Sequence, residues 1–96
     1  MGETKRINLI VYGLVHGVGF RVFIARTAKE LNICGWVRNL PDGSVEIEAQ
    51  GTEEMLEELL SRAQQGPTLA NVTSIHKGEK TPDSNLEGFA ITMDVH

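Results

Sequence analysis

Residues 5–32 read KRINLIVYGLVHGVGFRVFIARTAKELN, and within them the apolar period changes from two to nearly four. Ile7, Leu9 and Val11 alternate as on one face of a strand, while Ile10 and Tyr12 make the opposite face apolar as well. That pattern predicts a central strand from Lys5 to Gly13, covered over much of its surface. A short loop with two glycines follows, Leu14-Val15-His16-Gly17-Val18-Gly19. Phe20, Ile24, Ala28 and Leu31 then recur at steps of four, four and three, one stripe of a helix from about Arg21 to Leu31. Asn32 stands where the chain leaving a helix needs a left-handed backbone. Cys34 to Asn39, with Trp36 and Val37, reads as the strand to which this helix returns.

Leu40-Pro41-Asp42-Gly43 carries turn chemistry, and beyond it Val45, Ile47 and Ala49 alternate with Glu46, Glu48 and Gln50, a hairpin with one wet face. Thr52 is placed to cap a second helix, Glu53 and Glu54 suit the positive end of its dipole, and its stripe is Met55, Leu56, Leu59, Leu60 and Ala63. Gly66-Pro67 ends it. Val72 to Ile75 and Phe89 to Val95 are two further strand-like segments, joined by a polar stretch from Lys77 to Leu86. The order β, α, β, β, α, β with an extra edge strand is that of an α+β, ferredoxin-like two-layer α/β sandwich: an antiparallel sheet with two helices on one face. In this topology the first two strands run parallel with the third inserted between them, so their C-terminal ends share one edge of the sheet. The Gly17/Gly19 loop with Arg21, and Asn39, therefore face each other across two inter-strand spacings, on the order of 10 Å.

The chain has 96 residues, 41% apolar and 23% charged, as expected of one domain spanning 1–96 that buries roughly 60 to 65% of its unfolded surface. A formal charge of −4 argues against nucleic-acid binding, which would need an excess of Lys and Arg for phosphate neutralisation. The charge is uneven: up to Arg38 there are six basic residues against two acidic, and after it three against eleven. A cationic first third suits a small anionic ligand. Cys34 is the one cysteine, which leaves no internal disulfide and no structural zinc site. His76 and His96 join no carboxylate cluster at ligand spacing, so no metal and no cofactor are expected. The apolar run before Gly13 is too short to span a membrane and has no cleavage pattern, so a cytoplasmic protein is expected.

A strand entering a glycine loop and then a helix leaves several backbone N–H groups without intrahelical acceptors, a concavity that holds a tetrahedral anion. Gly17 and Gly19 permit positive φ, and Arg21 offers a planar fork of donors for two phosphate oxygens. Read from the residues alone, a tight surface turn followed by a salt-bridged Arg stays open beside this. No Lys lies in the loop, so it is not a Walker A loop; Val22 stands where a dinucleotide fingerprint needs Gly; and Cys34 lies after the helix, so no covalent cysteine mechanism fits.

Gly13-Leu14-Val15-His16-Gly17-Val18-Gly19-Phe20-Arg21 closely resembles the acylphosphatase signature G-x-V-Q-G-V-x-F-R, and Gly35-Trp36-Val37-Arg38-Asn39-Leu40-Pro41-Asp42-Gly43-Ser44-Val45-Glu46 resembles the family's second signature, G-W-V-x-N-x-x-D-G-x-V-E. The similarity runs over essentially the whole chain. It implies metal-independent hydrolysis of a small-molecule acyl phosphate to a carboxylate and inorganic phosphate. Carried over by position, Arg21 would bind the phosphoryl group together with the N–H groups of Val15, His16, Gly17, Val18, Gly19 and Phe20, and Asn39 would orient the attacking water. His16 replaces the usual Gln and Asn32 a frequent Gly; for His16 a loop-shaping role is expected.

The rival reading is a non-enzymatic module of the same fold that binds a phosphoanion or a protein. An RNA-binding module fits worst, because Val45 to Gln50 offers Glu46 and Glu48 and no aromatic residue for base stacking. Trp36 is expected in the core, Cys34 as a buried small hydrophobe, and Lys29 and Arg38 as solvated charges. A monomer is expected. The acyl group of the substrate is not specified by these residues.

Overall fold

A computed structural model describes residues 3–93. The strands and helices are β1 (Thr4–Leu14), α1 (Phe20–Glu30), β2 (Cys34–Asn39), β3 (Val45–Thr52), α2 (Glu53–Gln65), β4 (Asn71–Lys80) and β5 (Phe89–Ile91). The sheet order is β4-β1-β3-β2-β5, with β3 antiparallel to both β1 and β2. That makes β1 and β2 parallel with β3 between them, as the alternation and the helix between them implied. The four main strands pair antiparallel as expected, and the extra edge strand β5 pairs parallel with β2, which makes the five-stranded sheet mixed.

The core lies between the helices and one face of the sheet. Ile7, Leu9 and Val11 of β1, Val37 of β2 and Val45, Ile47 and Ala49 of β3 meet Phe20, Ile24 and Ala28 of α1 and Leu56, Leu59 and Ala63 of α2. The alternation of the strands selects this face, since a register slip of one residue would place the acidic side of β3 in the core. Met55, expected on the α2 stripe, is instead exposed, because the stripe centres on Leu56 and Leu59.

Helix α1 starts at Phe20 and ends in a turn that fixes where β2 begins. Asn32, at φ 56°, is the one described non-glycine residue with positive φ. Its N–H donates to Lys29 O at 3.3 Å and the Ile33 N–H to Ala28 O at 2.9 Å, the paired bonds of a Schellman motif, and Ile33 and Ala28 are both buried.

Two segments depart from the sequence reading. β4 runs on to Lys80 through residues read as a polar connector, because its inner edge pairs with β1 as far as Arg6 while its outer face stays wet. β5 is only Phe89–Ile91, and residues 94–96, including the end of the expected strand at Val95, lie outside the described residues. With β4 on one edge of the sheet and β5 on the other, residues 81–88 must cross it, and the helices leave only the other face. There Arg6 Nη1 donates to Thr81 O at 3.1 Å, while Gln50 Nε2 donates to Asp83 O at 2.9 Å and Gln50 Oε1 accepts from the Asp83 N–H at 2.8 Å.

The crossing overturns the wet face expected for the hairpin. Glu48 is 2% exposed and Gln50 is also buried. Glu48 pairs with Arg6 and accepts from Asn8 Nδ2 at 3.1 Å, and Glu46 accepts from Asn8 Nδ2 at 2.9 Å and from Arg38 Nε at 2.8 Å. Trp36 points to this same face rather than into the core, since its neighbours Gly35 and Val37 occupy the helix side; it is half-buried, with the Arg38 guanidinium 4.7 Å from its ring centroid. Arg38 is therefore held by Glu46 and Trp36, not a freely solvated charge, and Cys34 is only half-buried.

Candidate active site

The loop after β1 is anchored at both ends by core side chains. Val15 and Phe20 are each 1% exposed, so across residues 15–20 the chain is pinned from below and its backbone is what faces outward. Entry to the loop is set by Gly13, where the β1–β4 register shifts; φ is 124° there, and a Cβ would sit 2.1 Å from Asn71 O. No side chain fits at that bulge. Within the loop Gly17 and Gly19 have φ 69° and 78°, yet a Cβ on either would meet nothing within 4 Å. Their requirement is the left-handed backbone itself.

Gly19 is the N-cap of α1 and has no side chain to accept from the helix, and the first turn of α1 contains no acidic residue. The ladder starts with the Phe23 N–H donating to Gly19 O at 3.0 Å. The N–H groups ahead of it, from Phe20 to Val22, have no acceptor within the helix, and the positive end of the dipole is not neutralised by a carboxylate of that turn. Arg21 adds its guanidinium to this same turn and is half-buried. Val15, Gly17, Gly19, Phe20, Arg21, Val22 and Ile91 line an open cavity of about 170 Å³. Ile91 was not singled out in the sequence; it reaches the cavity through β5, whose position no local pattern announces.

Asn39, half-buried, ends β2 opposite Val45, and Val45 lies opposite Val11, so one transverse row of the sheet carries Asn39, the start of β3 and the β1 segment leading to the loop. The carboxamide Oδ1 is buried. Asn39, His16 and Val18 do not line the cavity formed by Gly17, Gly19 and Arg21. What joins the two sides is the Ser44 carbonyl. It accepts from the Leu40 N–H at 2.9 Å and lies 2.7 Å from His16 Nε2, which must carry the proton to donate to it. His16 and Leu40, the residue that follows Asn39, thus share one acceptor, which joins the loop to the turn after β2.

Ser44 was overlooked in the sequence, although Asp-Gly-Ser is a signal for a side-chain-braced turn. The Ser44 N–H donates to Asp42 Oδ1 at 3.0 Å, and its hydroxyl donates to the same oxygen. These bonds, the hydroxyl's first and the N–H's second, hold the Asp42 carboxyl below its ordinary range, with His16 adding a smaller pull in the same direction. Among the described residues no three His, Cys, Asp or Glu side chains cluster as metal ligands, and no helix is long and apolar enough to cross a membrane.

The family model described as acylphosphatase matches residues 7–91. An acylphosphatase of Chlorobaculum tepidum is 47% identical over 87 residues, covering 91% of this chain and 95% of its own length, and one of Thermococcus kodakarensis is 48% identical over 89 residues, covering 93% and 97%. The crystal structure of the Bacillus subtilis acylphosphatase superposes with a TM-score of 0.88 at 35% identity, over 92% of this chain and 98% of that one. A strand, glycine loop and helix start carrying Arg21, an Asn at the neighbouring strand tip and a match along nearly the entire chain lead to one conclusion: this protein belongs to the acylphosphatase family.

Proposed function

We propose that the protein is a hydrolase of acyl phosphates that cleaves the carboxyl–phosphate bond without a metal or cofactor. The observation that carries this reading is the shared Ser44 carbonyl, which clamps the loop of positive-φ glycines to the strand tip that presents Asn39. In the proposed reaction the phosphoryl oxygens lie against the N–H groups of Val15 to Phe20 and the Arg21 guanidinium. The Asn39 carboxamide orients a water whose oxygen attacks phosphorus in line with the leaving carboxylate. The phosphorus–acyl oxygen bond breaks as the new one forms, its electron pair leaves on the carboxylate, and the water's proton passes to phosphate or solvent.

The leaving group is already a stable anion, so little general acid is required, and catalysis reduces to positioning and to stabilising charge on the equatorial oxygens. A neutral amide at position 39 orients water without repelling a dianion. Asn39→Asp should therefore weaken substrate binding as well as turnover. We further propose that the protein acts as a cytoplasmic monomer of one domain and does not bind nucleic acid, in keeping with its net charge of −4.

Hydrolysis of benzoyl phosphate in excess chelator, with Arg21→Ala and Asn39→Ala alongside, tests the assignment. Wild-type turnover unaffected by chelator and lost in both variants is the expected result. Full activity in either variant removes that residue from the mechanism. Phosphate binding without turnover would make the protein a non-enzymatic anion-binding module.

A further inference from the structure

The reaction above accounts for the phosphoryl end of the substrate and leaves the acyl end without a seat. Two side chains beside the cradle are apolar and about half exposed, Val22 at 52% and Ile91 at 45%. Val22 follows Arg21 on the first turn of α1. Ile91 pairs in parallel with Val37, which is wholly buried on the helix side, so Ile91 points to that side too, and the Thr92 N–H fastens this strand end to Val37 O at 2.9 Å. Together Val22 and Ile91 wall the cavity at the loop and also a second one, of about 280 Å³, that runs on to Ala25, Arg26 and Lys29. Two cavities with a common wall form one groove between α1 and β5.

Positions 22, 25, 26 and 29 share one face of the helix. Measured from Arg21 along the axis, Arg26 lies about 7.5 Å and Lys29 about 12 Å away. Both are exposed, and among the described residues neither has a carboxylate at ion-pair distance. The groove thus offers an apolar floor next to the phosphoryl site and two cations at its far end. Among the described residues, the carboxylates that pair with Arg6, Arg38 and Arg62 have no counterpart at Arg26 and Lys29.

We propose that the acyl chain of the substrate lies in this groove over Val22 and Ile91, and that Arg26 and Lys29 favour acyl groups ending in a second anion, as in the monophosphoric anhydride of a dicarboxylic acid. This rests on the acyl phosphate reading of the site. A five-carbon diacid spans roughly the axial distance from Arg21 to Arg26. Each exposed charge pair contributes modestly, so the expected preference is about 3- to 10-fold.

Acetyl, pentanoyl and glutaryl phosphate separate the contributions, since the last two have equal chain length and differ by a terminal carboxylate. The wild type should show kcat/KM about 3- to 10-fold higher for glutaryl than for pentanoyl phosphate at low salt, and this ratio should fall towards one as screening shortens the Debye length from about 30 Å to about 3 Å. Arg26→Gln/Lys29→Gln should abolish the ratio while leaving pentanoyl phosphate unchanged. Val22→Ser/Ile91→Ser should lower the pentanoyl-to-acetyl ratio several-fold. Equal glutaryl and pentanoyl rates in the wild type, or a ratio untouched by the cation substitutions or by salt, would overturn the groove while leaving acyl phosphate hydrolysis intact. Failure of the wild type on all three substrates would overturn the underlying reading, and the groove with it.

Discussion

Arg21 and Arg6 lie at the two extremes of what this fold does with a guanidinium. Around Arg6 the sheet face closes: Glu48 is buried against it, Asn8 bridges Glu48 and Glu46, and residues 81–88 cross above. Around Arg21 the edge stays open, with glycines where side chains could have been, a helix cap without a side chain and no acidic residue in the first turn of α1. Donors that meet carboxylates of the same chain become structure. At the loop, the helix start brings backbone N–H groups together with no acidic residue in the first turn, the arrangement on which the proposed anion site rests. The comparison also separates two kinds of cost, because loss of Arg6 strands a buried carboxylate, whereas under the proposed reaction loss of Arg21 removes a donor to the phosphoryl group.

The sharpest test is Arg21→Ala. By analogy with the deletion of one oxyanion donor, kcat/KM for benzoyl phosphate should fall about 100- to 1000-fold, with a smaller loss of stability in urea than Arg6→Ala causes. A large loss of stability with a modest loss of rate would erase the distinction between the two regions. The converse substitution, Arg6→Ala, should destabilise the fold by about 3 kcal/mol, since it leaves Glu48 buried with only Asn8 to bond it. Its kcat/KM at low temperature should stay near the wild-type value. Adding Glu48→Gln should recover much of the lost stability in denaturant unfolding, because no charge is then left buried.

His16 connects the regions in a graded way. His16→Ala should lower kcat/KM by up to about tenfold, the scale of one hydrogen bond, while His16→Gln retains an N–H donor for Ser44 O and should fall much less. If the two variants behave alike, the tie between loop and turn is irrelevant to rate. A pH–rate profile unchanged by His16→Gln over about pH 5 to 8 would show that imidazolium charge plays no part.

The smallest effect belongs to Asp42. Its folded pKa is lowered by the Ser44 hydroxyl and N–H, so its charged form contributes stability at neutral pH that is lost as pH falls through the folded value. Asp42→Asn should therefore be slightly less stable than wild type at neutral pH and equal to it in acid. A thermal-melting difference that persists below the carboxylate range would assign the effect to shape rather than charge.

Much of the cradle was legible beforehand because it is built locally. The change of period between Val11 and Phe20, and the glycines between, place a strand end, an uncapped helix start and an Arg within a few residues of one another, and the matching signatures added Asn39. The Ser44 carbonyl was not legible, since a backbone oxygen has no residue identity to read; only its neighbours Asp42 and Gly43 hinted at a braced turn. Trp36 and Glu48 were misplaced for a related reason. Period two distinguishes two faces of a strand but does not say what covers the second one.

The sequence by itself determined the alternation that faces the core, the helix stripes, the left-handed turn at Asn32 and the loop that exposes its own N–H groups, because each depends on residues within a turn or two of one another. Only the tertiary structure decided that β5 lies beside β2, that residues 81–88 must then cross the free face, and that Glu48 is buried while Ile91 reaches the cavity at the glycine loop. Those outcomes depend on which strand edges remain unpaired once the sheet has formed, a property of the assembled chain and of no segment within it.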